Sequence, residues 1–368
     1  MEQLMKVLQG FAISGLPVLC ERYGQGHIND TYLVVTDNGC HYILQRINHH
    51  VFRDVPALMN NIEGVTSFIF NKLQEQGKSA GRALRLIKTV DGRSFGLEGG
   101  CYYRIYNFID NAESIEIPSH PHLMYLCGKG YGNFQKLLNG YPADSLSESI
   151  PRFHDTEDRY DKFLIAQNKD QAGRVSKVAR EIDFYKTRAA YCGQIKRLIE
   201  SGEMPLRVTH NDTKLNNVLI DLEKDEAAAV IDLDTVMPGS IVYDFGDGIR
   251  SGANMAAEDE QDLSKVGFNI EMYRSFAEGF LDEVGEVVTE VEKQHMAFGA
   301  LLMTYECGMR FLTDYLEGDK YFRIHREGHN LDRARTQMKL VTEIEKNIDE
   351  MNRIVRNYAD KNKSCRTY

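Results

Sequence analysis

No two cysteines in this sequence are spaced as C-x-x-C, and no run of lysine and arginine forms a basic stripe. No stretch approaches the roughly 18 to 20 apolar residues that a membrane helix needs. Each absence removes a class of function. The seven cysteines (Cys20, Cys40, Cys101, Cys127, Cys192, Cys307 and Cys365) are scattered and odd in number, which fits reduced thiols better than a disulfide framework or a zinc site. A net charge of -10 without a basic patch argues against a nucleic-acid partner. The first residues, Met1 to Lys6, lack a basic stretch followed by an apolar run, so no signal peptide is expected and the cytoplasm is the expected location. Internal repeats and low-complexity linkers are also missing. What remains is a 368-residue chain, 42% hydrophobic and 27% charged, enough for two or three domains or one large two-lobed unit with a full core.

The first hundred or so residues read as β-rich with one helix. Thr31 to Val35 is rich in β-branched and aromatic residues, and Asp37-Asn38-Gly39 is a hairpin turn returning through His41 to Arg46. A second hairpin is predicted from Leu84 to Val90, turning at Asp91-Gly92 and returning through Arg93 to Phe95, and Cys101 to Phe108 reads as a further strand. Between the hairpins, Ile62, Val65, Ile69 and Leu73 share one face of a helix predicted from about Asn60 to Gln76. Beyond residue 110 the pattern is mostly helical, ending in a long amphipathic helix marked by Met338, Val341, Ile344, Ile348, Met351 and Val355.

The chemistry concentrates between Val208 and Asp244. A loop with His210, Asp212 and Asn217 feeds the strand Val218 to Ile220, a polar turn reverses the chain, and the strand Ala229 to Ile231 delivers Asp232. Such a hairpin brings Asp212, Asn217 and Asp232 to one end of its strands. Three oxygen-bearing side chains there suit a hard divalent cation that keeps several waters and shares ligands with phosphates. The alternative, a merely solvated acidic turn, does not account for the linked spacing. A softer signal is Gly24-x-Gly26 ahead of the first strong strand, since glycine lets backbone N–H groups approach phosphates. Taken alone, that pattern is more often a simple turn.

His210-x-Asp212, with Asn217 five residues on and Asp232 closing the next strand, resembles the catalytic loop of the kinase-like superfamily, in its aminoglycoside phosphotransferase branch. Pro238 to Asp244 is similar to a further block of that branch, with Ser240 replacing an expected Asp; Asp244-Phe245-Gly246 spells the protein-kinase metal motif by coincidence. The resemblance implies an α+β, two-lobed, protein-kinase-like fold: an N-lobe (1–108) of antiparallel sheet and one helix, and a larger, mainly helical C-lobe (109–368). It implies ATP and magnesium as cofactors, Asp212 as catalytic base, Asn217 and Asp232 as metal ligands, and His210 and Asp244 as braces of the loop. Gly24, Gly26, Gln45, Tyr106 and Phe108 would line the nucleotide site, the last two through hinge backbone groups. At Gln45 the sequence departs from the pattern, which has a phosphate-binding lysine there; Arg46 points to the opposite face of the strand. Glu63 is the helix residue that would pair with that lysine.

Further blocks resemble the N-acetylhexosamine 1-kinases along nearly the whole chain: Tyr23 to Asn29, Phe153 to Thr156, Arg207 to Asn217, Ile231 to Thr235 and Glu306 to Leu312. This similarity implies phosphorylation of the anomeric hydroxyl of N-acetylglucosamine or N-acetylgalactosamine, with His27, Arg310 and Tyr321 contacting the sugar beside Asp212. The bland readings are a turn cap for His27, a core aromatic for Tyr321, and for Arg310 an internal ion pair with Glu306 or Asp314. The rival functions are a kinase of another acceptor (an aminoglycoside, choline, homoserine or another hexose) and a non-catalytic nucleotide-binding protein. The acidic run Glu258 to Asp262 reads as a solvated helix start rather than a pocket for a cationic acceptor.

Overall fold

The computed structural model describes residues 2–24, 28–77 and 83–364. The N-terminal part is built from α1 (Glu2–Gln9), β1 (Pro17–Arg22), β2 (Asp30–Thr36), β3 (His41–Ile47), α2 (Val55–Glu75), β4 (Leu86–Ile87), β5 (Gly96–Glu98) and β6 (Cys101–Asn107). The strands form one antiparallel sheet in the order β1-β2-β3-β6-β4, with β5 also pairing β6. Alternation along β3 and β6 sorts the two faces. Val34, Leu44 and Ile105 pack with Val7, Leu8 and Phe11 around α1. The opposite face presents the cross-strand pairs Ile43–Tyr106 and Gln45–Arg104. On that side lie α2 and the residues of the cleft.

Two elements differ from expectation. Helix α2 starts five residues earlier than the apolar periodicity suggests, because the Asp54 side chain caps it by accepting the Ala57 N–H (3.0 Å) and Pro56 suits a first turn. The second hairpin closes only at its tip, where Thr89 N–H donates to the Arg93 carbonyl (2.9 Å). Its arms do not continue as a ladder. Instead β4 pairs with Ile105 and Tyr106, and β5 with Cys101 to Tyr103, so the two share one edge of the longer β6.

The remainder comprises β7 (Glu113–Ser114), α3 (Pro121–Leu137), α4 (Thr156–Lys169), α5 (Ala179–Thr187), α6 (Gln194–Glu200), β8 (Arg207–Thr209), β9 (Val218–Asp221), β10 (Glu226–Val230), β11 (Met237–Gly239), α7 (Ile241–Gly252), α8 (Ile270–Val284), α9 (Glu290–Glu317) and α10 (His329–Ser364). A single large core spans these helices, from Leu123 and Tyr131 through Phe245, Phe276 and Phe280 to Leu340 and Val355. Helices α7 and α9 meet through glycine: a Cβ on Gly246 would lie 2.3 Å from the Gly299 carbonyl oxygen, and one on Gly299 would lie 2.4 Å from that of Val242. Only glycine permits that approach, and it sets the distance between two helices that carry site residues. The whole is the two-lobed, kinase-like α+β architecture, an antiparallel sheet lobe joined to a larger helical lobe. Among the described residues no helix is long and apolar enough to cross a membrane. Cys20, Cys40, Cys101, Cys127, Cys192 and Cys307 are free, and Cys365 lies outside the described residues.

Candidate active site

Two short antiparallel pairings frame the loop that carries the chemistry: β8 with β11, and β9 with β10. Between them, residues 210–217 and 231–236 face each other. Asn211 and Asp232 both adopt left-handed backbone (φ 64° and 61°), a strained state for non-glycine residues that surrounding bonds must hold. Asn211 donates its N–H to Asp244 Oδ1 (2.8 Å) and its side-chain amide to the Thr235 carbonyl (2.8 Å). Asp232 follows Ile231, whose N–H donates to the Asn217 carbonyl (2.9 Å) and whose carbonyl accepts from His210 Nε2 (2.8 Å). His210 Nδ1 then accepts the Asp212 N–H (3.3 Å), which places the ring proton on Nε2. Fully buried Asp244 accepts the His210 N–H (2.8 Å) and the Gln135 amide (2.6 Å). Burial raises its carboxyl above the ordinary value, and His210 and these donors offset part of that.

Asp212 is half-buried beside Lys214, whose ammonium lies 2.8 Å from Oδ1 and 3.2 Å from Oδ2. Burial pushes the Asp212 carboxyl up and the Lys214 charge more than offsets it, so the group is held below its usual range as a carboxylate. The Asn217 amide nitrogen donates to the Asp212 carbonyl (2.8 Å), and its Oδ1 accepts no hydrogen bond from the described residues. The Asp232 carboxylate opens to solvent in the cleft and accepts no hydrogen bond from the described residues. Desolvation by the surrounding protein, with the negative charges of Asp234 and Asp212 adding to it, pushes its carboxyl up to about 6. A divalent cation fits these donors: two hard oxygens aimed into one cleft and an excess of negative charge that a cation relieves. Among the described residues no cluster of three or more His, Cys, Asp or Glu could hold a metal alone, so water and phosphate oxygens would complete the shell.

The nucleotide-side expectations divide. Gly24 has positive φ (73°) with open space where a Cβ would stand, whereas Gly26 and His27 lie outside the described residues. Phe108 sits edge-on to Tyr23 and to His41, with ring centroids 6.1 and 5.5 Å away. Tyr106 is buried with no hydrogen-bond partner for its hydroxyl among the described residues, and the Arg104 guanidinium lies over its ring at 5.2 Å. Gln45 is already engaged within the protein. Its Oε1 accepts from Arg104 Nε (2.9 Å) and from the same guanidinium's NH2 group (2.7 Å), while its Nε2 donates to Thr31 Oγ1 (3.0 Å). Glu63 pairs with Lys88, just past β4, instead of with a lysine on β3.

On the other side of Asp212, His154 bridges the 210–217 loop to α9. Its Nε2 lies 3.2 Å from the Asn211 carbonyl and its Nδ1 lies 2.9 Å from Glu306 Oε1. One helical turn beyond Glu306, the Arg310 guanidinium is boxed by Phe153 (5.1 Å), Phe322 (5.5 Å) and Tyr321 (6.0 Å). Neither internal partner proposed for it takes it up. Glu306 bonds His154, and Asp314 accepts the backbone N–H groups of Lys320, Tyr321 and Phe322. Tyr321 is 64% exposed, so it is not a core aromatic. Lys214, His154, Arg104 and Asp234 were not singled out from the sequence. Signals existed: a cation two residues after Asp212, an arginine inside the otherwise apolar strand Cys101 to Tyr106, and a second aspartate in Ile231-Asp-Leu-Asp.

The fold has solved counterparts. An aminoglycoside phosphotransferase from Alicyclobacillus acidocaldarius superposes with TM-score 0.61 at 11% identity, covering 96% of each chain. A choline/ethanolamine kinase family protein from Mesorhizobium loti gives 0.56 at 13% identity, over 97% of this chain and 99% of that one. An amicoumacin kinase in complex with AMP-PNP and Ca2+ gives 0.55 at 12% identity, over 94% and 93%. At these identities the likeness speaks for the fold. The sequence itself matches the model of the phosphotransferase enzyme family, abbreviated APH, over residues 20–278, a span that includes the glycine-rich loop, the catalytic hairpin and Asp244, and the chain therefore belongs to that family.

Proposed function

We propose that this phosphotransferase is an N-acetylhexosamine 1-kinase, moving the γ-phosphoryl group of ATP to the anomeric hydroxyl of N-acetylglucosamine or N-acetylgalactosamine. Its working parts are an N-lobe of residues 1–108 holding the nucleotide and a C-lobe of 109–368 holding the catalytic loop and the sugar. Asp212 accepts the hydroxyl proton and aims the oxygen at phosphorus. The anomeric hydroxyl is the most acidic on a free sugar, so a carboxylate kept ionised by Lys214 is a sufficient base. Asn217 and Asp232 hold magnesium, which neutralises charge on the transferring phosphates when bound. His210 and Asp244 brace the loop through the bonds already described. Gly24, Tyr106 and Phe108 line the nucleotide site, and Arg310 and Tyr321 face the sugar; Gly26 and His27, assigned to the same two roles from the sequence, lie outside the described residues.

The observation that carries the choice of acceptor is Arg310. A guanidinium boxed by three aromatic rings, with no carboxylate bonded to it among the described residues, presents donors to a ligand. Such a group repels choline or a polycationic aminoglycoside and suits the hydroxyls and acetamido carbonyl of a neutral sugar. The test is incubation with ATP, magnesium and each N-acetyl sugar, following ADP release and phosphorus NMR. Choline, homoserine, glucose and kanamycin run in parallel, with Asp212→Asn as control. An anomeric phosphate signal that vanishes in the variant is expected. Turnover only on another acceptor would sink the sugar assignment, and turnover on none would favour a silent nucleotide-binding protein.

A further inference from the structure

The departure at Gln45 has a structural counterpart elsewhere in the cleft. Arg104, on the neighbouring strand β6, is fully buried (0% exposed), and so nearly is Asp234 (3%). Its guanidinium forks onto both carboxylate oxygens of Asp234, one through NH1 and the other through NH2 at 2.9 Å. The remaining donors turn to Gln45 Oε1 and, at 4.0 Å, to the Met59 sulfur. With its donors so committed, Arg104 cannot also bind a phosphate in this arrangement. Asp234 accepts a further bond from the Asn29 side chain, whose own Oδ1 accepts the Asn48 N–H (2.9 Å). Asn29 ends the segment between the glycine-rich loop and β2. The cleft face of the sheet, the approach to β2 and the turn after β10 therefore meet at one carboxylate.

That turn is the one carrying Asp232 in left-handed backbone (φ 61°, ψ 58°), two residues before Asp234. Upstream, Ile231 is pinned by His210 and Asn217; downstream, the Asp234 carbonyl accepts from Ser149 Oγ (2.8 Å) and Thr235 Oγ1 donates to the His210 carbonyl (2.6 Å). Among the described residues the strands of the sheet hydrogen-bond this turn through the Asp234 carboxylate, while α2 holds its far end, where the Asn61 amide donates to the Val236 carbonyl (3.0 Å) and Leu233 and Val236 pack with Leu58, Met59 and Ile62. A buried ion pair of this kind adds little net stability over apolar packing, so its worth here is geometric.

We propose that Arg104 is a positioning residue for the metal-binding turn: through Asp234 it ties the strained Asp232 to the sheet, and Gln45 is the acceptor that orients its guanidinium. Position 45 is then not a degraded lysine site. A lysine there would set a donor-only cation against Arg104 and remove the oxygen that two of its N–H groups need. The proposal rests on the reading of Asp232 and Asn217 as ligands of a nucleotide-linked divalent cation.

The test uses the full chain with Gln45→Lys, Gln45→Met and Arg104→Met. Mn2+ affinity of the protein–ADP complex is read by electron paramagnetic resonance, and ADP affinity in EDTA by calorimetry. Melting curves check folding. Half-buried Gln45 tolerates change even if Arg104→Met fails to fold. Loss of this outer support should weaken Mn2+ binding about tenfold or more in both Gln45 variants, while metal-free ADP binding stays within about twofold of the parent. Tighter metal-free ADP binding by Gln45→Lys would make position 45 a phosphate site and overturn the proposal, as would unchanged Mn2+ affinity in both variants. A parent protein that binds neither ADP nor Mn2+ would instead remove the functional reading beneath it.

Discussion

Asp212 is flanked by two groups that define its state. Lys214 keeps it ionised, and Asn217 fixes its backbone carbonyl. Asp212→Asn removes the proposed proton acceptor while preserving shape, so kcat should fall by about 10²- to 10⁴-fold with little change in nucleotide affinity, read by steady-state kinetics beside calorimetry. A second pair, His154 with Glu306, acts through charge in a buried setting. Burial lowers the His154 value, and Glu306 more than offsets this, so it is raised from the ordinary 6.5. Burial raises Glu306, and His154 more than offsets this, so it is lowered from 4.5. A raised histidine stabilises fully below 6.5 and loses that contribution as pH climbs through its folded value; a lowered glutamate contributes above 4.5. The pair therefore contributes most between these limits. Glu306→Gln should cost about 1–3 kcal/mol near pH 5.5 and progressively less as pH rises past the histidine's titration. Melting temperatures across pH 5 to 9 for both proteins check this, and a constant deficit would refute it.

Helices α7 and α9 deliver Asp244 to one side of the 210–217 loop and Glu306 and Arg310 to the other. Their separation depends on Gly246 and Gly299, whose carbonyl and Cα positions leave no room for a methyl group. Gly299→Ala must push the helices apart, and a destabilisation of about 1–3 kcal/mol in urea melts is expected, with a raised KM for the acceptor. An unchanged KM would mean that α9 carries no acceptor contacts. Legibility in the sequence also varied by element. Strands β2, β3 and β6 and the hairpin β9–β10 stood out through composition and turn residues. The start of α2 was missed because its first turn is set by a cap at Asp54 and by Pro56, which apolar periodicity does not register. The pairing of β4 and β5 was misread because β6 competes for both: it returns on β5 directly across the turn at Gly99-Gly100, and its continuation takes up β4.

Taken whole, the molecule is two lobes joined across a cleft in which Asp212, Asn217 and Asp232 converge. Ligand that binds only this assembled state must stabilise it by mass action. ADP with Mg2+ at about a hundredfold over its Kd should add about 2.7 kcal/mol. The resulting rise in melting temperature should shrink in Asp232→Asn when Mg2+ is present and match the parent in EDTA. Equal shifts under both conditions would remove Asp232 from the metal site.

By itself the sequence determined the β9–β10 hairpin and the three oxygen donors at its end, and through its family resemblance it pointed to the two-lobed plan. The hairpin and its donors depend on spacing within one short stretch, where turn residues and strand alternation leave little freedom. It could not decide what Gln45 does, because the answer lies on another strand and in another lobe. Arg104 is 59 residues from Gln45 and 130 from Asp234 along the chain, and only sheet register and lobe contact bring them together. The freedom of Arg310 was likewise a tertiary outcome: both nearby carboxylates were available by spacing, but His154 and the turn at Lys320 to Phe322 claim them first.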